Sequence, residues 1–300
     1  MKKLFSMLIL SLCVAFVSCN EEEYNADLAV SPYQPLPGRR VASIKTTFTE
    51  NGGENIHEHR FTYDAQNRIK TVNSNLVIYT PVVVDNNGFR DTVNTRCNMV
   101  TSANYFYRGE ELEVAFNVSI EYPDFPKMNR HSCSSNFGFF TSTGVLNRFS
   151  QASFDYSTTT LLKAYTDGEI SFDVLREGND VCGYNKTSVA SNGQLREEKS
   201  KRYYYSPFRN KTNFDFSAYF GYWGVEQCIP IISRPYRAPY QLAAFGMLGV
   251  TSGNLPWGVV ETDADGRDNY KEGDWVLDNQ EYPLSFVDVD ERVTVITYCE

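Results

Sequence analysis

Glu111-Leu-Glu-Val-Ala-Phe-Asn-Val-Ser-Ile-Glu-Tyr122 alternates without a break. Leu112, Val114, Phe116, Val118, Ile120 and Tyr122 are apolar, and the residues between them are charged, polar or small. Successive side chains of a strand point to opposite faces, so this pattern predicts a strand about 40 Å long with one buried and one wet face. A strand wet on one face belongs to an antiparallel sheet rather than to a parallel sheet covered by helices on both sides.

Shorter stretches repeat the period. Ala152, Phe154 and Tyr156 would share one face of a strand, as would Ile170, Phe172 and Val174. Asp85-Asn86-Asn87-Gly88 and Tyr165-Thr166-Asp167-Gly168 read as hairpin turns. The 20 Tyr and 20 Phe suit aromatic cross-strand pairs. The expected fold is all-β, a long curved antiparallel meander or barrel-like sheet of roughly ten or more strands. Residues 213–253 break the rhythm with Pro230, Pro235 and Pro239, and Gln241 to Leu248 suits a turn or two of helix. This is a helical or loop excursion able to cross the sheet and plug one end.

The first residues address the chain. Lys2 and Lys3 precede a short apolar run, Leu4 to Phe16, and Val17-Ser18-Cys19 closes it with a small residue before cysteine. That is the layout of a lipoprotein signal peptide, and the run is too short to span a bilayer. Residues 1–18 are therefore expected to be removed and Cys19 lipidated, with the outer membrane as partner through that anchor. Residues 19–40, with Pro32, Pro35 and Pro37, read as a tether, and 41–298 as a single β domain.

The formal net charge is -9, and loss of Lys2 and Lys3 makes it more negative, which argues against a nucleic-acid partner. Beyond Cys13 and Cys19 there remain Cys97, Cys133, Cys182, Cys228 and Cys299, an odd number without CxxC spacing. Export permits disulfides, but at least one thiol should stay free.

Phe61-Thr-Tyr63-Asp64-Ala-Gln-Asn-Arg68-Ile69 and Phe286-Val-Asp288-Val-Asp-Glu-Arg292-Val293 resemble each other. Each reads as a hairpin whose Asp caps the turn while Arg starts the return strand. A degenerate third copy is expected from Phe154 to Ala164. These hairpins, Asn210-Lys-Thr-Asn-Phe-Asp215-Phe, Gly253-Asn-Leu-Pro256 and the closing Tyr282 to Tyr298 strand pair resemble a group of Bacteroidota lipoproteins classed as a domain of unknown function with a porin-like fold. The resemblance spans Val41 to Tyr298. It implies a curved antiparallel sheet on an exported lipoprotein, and the acidic Glu21-Glu22-Glu23 after Cys19 looks like the surface-export signal of such proteins. It implies no activity. A lipid anchor would be redundant on a chain already spanning the membrane, so no pore is expected.

Several constellations carry chemistry. Glu261-Thr-Asp263-Ala-Asp265-Gly266-Arg267-Asp268-Asn269-Tyr-Lys-Glu272 has oxygen ligands near the spacing of a calcium loop, so Asp263, Asp265 and Glu272 are candidate calcium ligands. A solvated acidic loop is the alternative. His57 and His59 would share a strand face, and could hold zinc or copper given a third ligand from His131, a carboxylate or a cysteine; a polar strand end is the alternative. Trp223, Trp257 and Trp275 could stack on sugar faces or simply pack in the core. No serine-nucleophile elbow, phosphate loop or dinucleotide fingerprint is present, and no cofactor beyond calcium is implied. The expected function is an exported, lipid-anchored, non-catalytic binding or structural protein at the cell surface, taking an apolar ligand or a glycan. The rival is a glycoside hydrolase or other hydrolase using paired carboxylates.

Overall fold

Leu112, Val114, Phe116 and Val118 are buried along one face of the strand Glu111–Glu121, as their alternation requires. The computed structural model describes residues 30–86, 89–149, 152–155, 163–166, 170–177, 180–189, 195–216, 242, 244–249, 251–262 and 265–300. The signal peptide, Cys19 and Glu21 to Glu23, along with Asp263, Trp223 and Cys228, lie outside them.

Sixteen strands are present among the described residues: β1 Val41–Glu50, β2 Gly53–Tyr63, β3 Ile69–Asn86, β4 Phe89–Arg108, β5 Glu111–Glu121, β6 Arg130–Phe140, β7 Leu146–Phe149, β8 Ala152–Asp155, β9 Lys163–Thr166, β10 Ile170–Glu177, β11 Asp180–Val189, β12 Leu195–Arg209, β13 Asn254–Thr262, β14 Asp268–Leu277, β15 Pro283–Asp288 and β16 Val293–Tyr298. Each pairs antiparallel with its sequence neighbours. The last pairs with the first, from Val41↔Tyr298 to Thr47↔Val293, so the meander curls into a closed barrel. Closure removes the free edges that an open sheet would present. The wall is thinnest at β7, β8 and β9, where Arg148↔Ser153 and Phe149↔Ala152 make up the whole β7–β8 ladder.

Turn chemistry sets the register. Asn51 and Gly52 join β1 to β2 with φ of 54° and 81°, a two-residue connection that matches strand twist. Asp64 Oδ1 accepts from the N–H groups of Gln66 and Arg68, while Arg68 Nε donates to Asp64 Oδ2 at 2.7 Å. Asp288 Oδ1 likewise accepts from the N–H groups of Asp290 and Arg292. Another copy sits at Asp278, which accepts from Gln280 and Tyr282. The fourth residue of each turn, Asn67, Glu281 or Glu291, is left-handed. Between Phe154 and Ala164 the strands β8 and β9 do form a hairpin, but its loop lies outside the described residues.

One end of the barrel is filled from within. Phe214, Phe216, Leu242, Phe245, Met247 and Leu248 of the 213–253 excursion join wall residues Ile44, Phe61, Tyr105 and Leu112 in one core. The motif around Asn210 anchors this plug. Asn213 Oδ1 accepts from Val41 N–H at 3.0 Å, and Asp215 Oδ2 accepts from Ser252 N–H at 2.8 Å, so the entry is tied to β1 and to the exit before β13.

The tether expected to run to residue 40 is shorter than that. Ser31 and Tyr33 are buried, and Tyr33 stacks on Phe140 and Tyr107 at 5.3 and 5.7 Å and donates its hydroxyl to Phe245 O. The proline spacing misled because Tyr33, with Leu36 set against Gly246 of the plug, is enough to dock the strap.

Candidate functional site

Register divides the wall into an inner and an outer set. Inside, the row Ile44, His59, Ser74, Thr101 and Val118 runs across β1 to β5. Outside, Lys45, Glu58, Asn75, Val100, Ser119 and His131 stand side by side. Apolar side chains therefore fill the lumen at the plugged end, while the outer face of β1 to β6 is mixed: Lys45, Glu58 and Asn75 stand beside exposed Val100, and Phe106, Phe137 and Phe139 are exposed as well. The apolar band of a membrane-spanning barrel would be interrupted there by these charges.

His57 and His59 do share a face, the inner one. His59 Nδ1 lies 2.7 Å from Ser74 Oγ, and Phe48 meets the His57 ring edge-on at 5.3 Å. Arg292 caps this layer, its guanidinium 4.9 Å from the Phe48 ring. Burial, with Arg292 adding to it, pushes the His57 pKa down to about 4, and burial with His57 beside it pushes His59 down to about 3. Both imidazoles are neutral at pH 7. His131 is exposed on the outer face, across the wall from them. Among the described residues no three His, Cys, Asp or Glu side chains gather as metal ligands.

The acidic stretch 261–272 is a β-hairpin. Asp265 is exposed at its tip, whereas Glu272 sits in β14 opposite Gly258. Four strand steps from Asp268 to Glu272 carry the chain about 14 Å away from the tip. Thr262 Oγ1 donates to Asp268 Oδ1 at 2.7 Å, closing the hairpin across its base. Asp265 and Glu272 are thus not brought together.

The tryptophans part company. Trp275 points inward, donates Nε1–H to Pro256 O at 2.6 Å, and packs on Phe286 and Phe216 at 4.9 and 5.3 Å. Trp257 lies at a bulge between the pairs Tyr204↔Gly258 and Tyr205↔Pro256, and its ring meets that of Tyr204 at 5.7 Å on the outside of the wall. Tyr204 also lies near-parallel to Tyr270, with centroids 6.0 Å apart and an angle of 21°. Tyr204 and Tyr270 are 39% and 51% exposed. Neither tyrosine was foreseen, because the run Tyr203-Tyr204-Tyr205 does not reveal which ring points out. Its period of two was the available signal: Tyr203 is buried in the core and Tyr204 is not.

A cleft of about 520 Å³ lies at the plugged end between the strap and the barrel rim, bordered by Gln34, Pro37, Arg39, Arg40, Asn67 and Cys299. Its cations are engaged: Arg39 lies 4.4 Å over Tyr298 and 3.5 Å from Asp278, and Arg40 donates to Asn67 Oδ1. Cys97, Cys133, Cys182 and Cys299 are free thiols. In the described part of the crossing excursion Asp215 is the sole acid, and its bond to Ser252 N–H gives it a structural task.

Two solved structures are similar in shape. One is a porin-like protein from Bacteroides uniformis, 10% identical, covering 90% of this chain and 100% of its own, with a TM-score of 0.49. The other is a porin-like protein from Bacteroides vulgatus, also 10% identical, covering 87% and 99%, with a TM-score of 0.41. No protein-family model matches the chain, and no curated protein matches it.

Proposed function

We propose that this chain is a non-catalytic, non-conducting binding protein of the cell envelope, held at the outer membrane by lipid on Cys19 and exposed at the cell surface. The observation that carries the reading is the apolar plug, together with the charges that interrupt the outer wall. Lys45 and Glu58 stand in the outer row beside Asn75, Val100 and Ser119, and the end of the lumen is occupied by Phe214, Phe216 and Phe245. Burying the Lys45 charge at the bilayer midplane would cost about 2–4 kcal/mol, and a pore would have to expel the apolar plug.

The signal layout of residues 1–23 supports the anchor and the location. Between the two expected ligand classes, the apolar one loses ground because the chain's own side chains fill the apolar part of the lumen at the plugged end. The glycan class gains from the outward rings of Tyr204, Trp257 and Tyr270. The test is planar-bilayer recording with protein beginning at residue 21. We expect a flat current trace, and reproducible unitary steps would overturn the reading.

A further inference from the structure

We infer that the outer faces of β12, β13 and β14 form a carbohydrate-binding platform, on which Tyr204, Trp257 and Tyr270 stack against a pyranose ring of a neutral polysaccharide while Arg202 and Glu272 bond its hydroxyls. This rests on the binding-protein reading above and names its ligand class and site. The register lays the platform out. Tyr204, Gly258 and Glu272 are partners across the three strands, and so are Arg202, Val260 and Tyr270 in the next outward row. The two tyrosines therefore approach each other diagonally over β13, and Val260 is buried beneath while Arg202 and Glu272 stay exposed at the margins.

The chemistry of such a surface is specific. Flat rings with a polar handle at one end suit a ligand that has an apolar face and a polar edge, which is how a pyranose presents its C–H groups and its hydroxyls. One guanidinium and one carboxylate flank the rings, so donors and acceptors are both available without a net charge to favour an ionic ligand.

Gly258 adds an independent observation. A Cβ built there would meet Lys271 O at 3.4 Å and Glu272 Cβ at 3.6 Å, ordinary contacts, and the residue has no left-handed backbone. Gly258 borders the bulge between Tyr204 and Tyr205, a common place for a strand glycine, and no close contact forbids a side chain there. Its effect is to leave a notch between Tyr204 and Glu272, at the place where a ring edge would settle.

The experiment is affinity electrophoresis of the protein from residue 21 through gels containing a mannan, a β-glucan or a xylan, with melting curves run alongside. Wild type should be retarded by at least one polymer. Tyr204→Ala with Tyr270→Ala should weaken that binding about tenfold or more, equivalent to about 1.4 kcal/mol. Gly258→Val, which fills the notch but fits the backbone, should do the same without lowering the melting temperature. Retardation by none of the polymers overturns the platform. Retardation that survives both variants also overturns it, yet leaves a binding protein whose site is elsewhere. If the variants instead dissolve a dimer of wild type, the surface is a protein interface and the carbohydrate assignment fails.

Discussion

At the scale of the residue, the sharpest consequence belongs to the buried histidines. Their folded pKa values, about 4 for His57 and about 3 for His59, lie below the ordinary 6.5. The unfolded chain therefore takes up protons that the folded chain refuses. Stability is full above pH 6.5 and is lost as pH falls from there toward 4 and then 3, at about 1.4 kcal/mol per pH unit for each histidine. Urea titrations at pH 6 and pH 5 should show wild type losing about 2–3 kcal/mol more than His57→Gln with His59→Gln. The carboxylates common to both proteins cancel in that difference, so equal losses would show that the imidazoles are not held neutral. The HxH spacing gave their shared face correctly. It could not say which side of the wall that face was, and His131 went to the other side.

The elements were legible wherever the period of two was long. Glu111 to Tyr122 became β5 almost residue for residue, and the Asp64 and Asp288 turns follow from short side chains that bond their own backbone. The Asp278 copy was not read, since Tyr282 stands where the others have Arg and the turn leads into Pro283. The excursion was legible as an interruption able to plug one end, but not in its contacts. That it plugs the barrel depends on where Phe214, Phe216 and Phe245 meet distant strands, which no local pattern encodes. Phe216 is fully buried between Phe214 and Trp275. Phe216→Ala should therefore cost about 3–5 kcal/mol, read as a lowered urea midpoint followed by the emission of Trp275. A loss under about 1 kcal/mol, within the range of ordinary surface substitutions, would mean that the segment rests on the barrel instead of belonging to its core.

For the whole molecule, a membrane-spanning barrel and the proposed lipid anchor make opposite demands on the membrane, and this separates two kinds of envelope protein. A spanning barrel needs an outward apolar band and no lipid. Here the outer residues of β1 and β2 include Lys45, Glu54, Glu58 and Arg60, and the signal layout ends in Cys19. Period-two alternation is the same for both kinds, so sequence revealed a sheet but not which face would enclose the core. The sign came from register and closure, which bring Ile44, His59 and Val118 to one side and Lys45, Glu58 and Ser119 to the other. If the acyl chains carry attachment alone, each buried methylene contributes about 0.8 kcal/mol and the barrel contributes nothing. Expressed in its host as Cys19→Ala, the protein should move from the detergent-requiring membrane fraction to the soluble fraction, still folded by its melting curve. Wild type should stay with the membrane through high-salt washing, because screening weakens charge contacts but not acyl insertion. A Cys19→Ala protein that still needs detergent would return the barrel to the bilayer, and the polar outer row would then have to face a lumen.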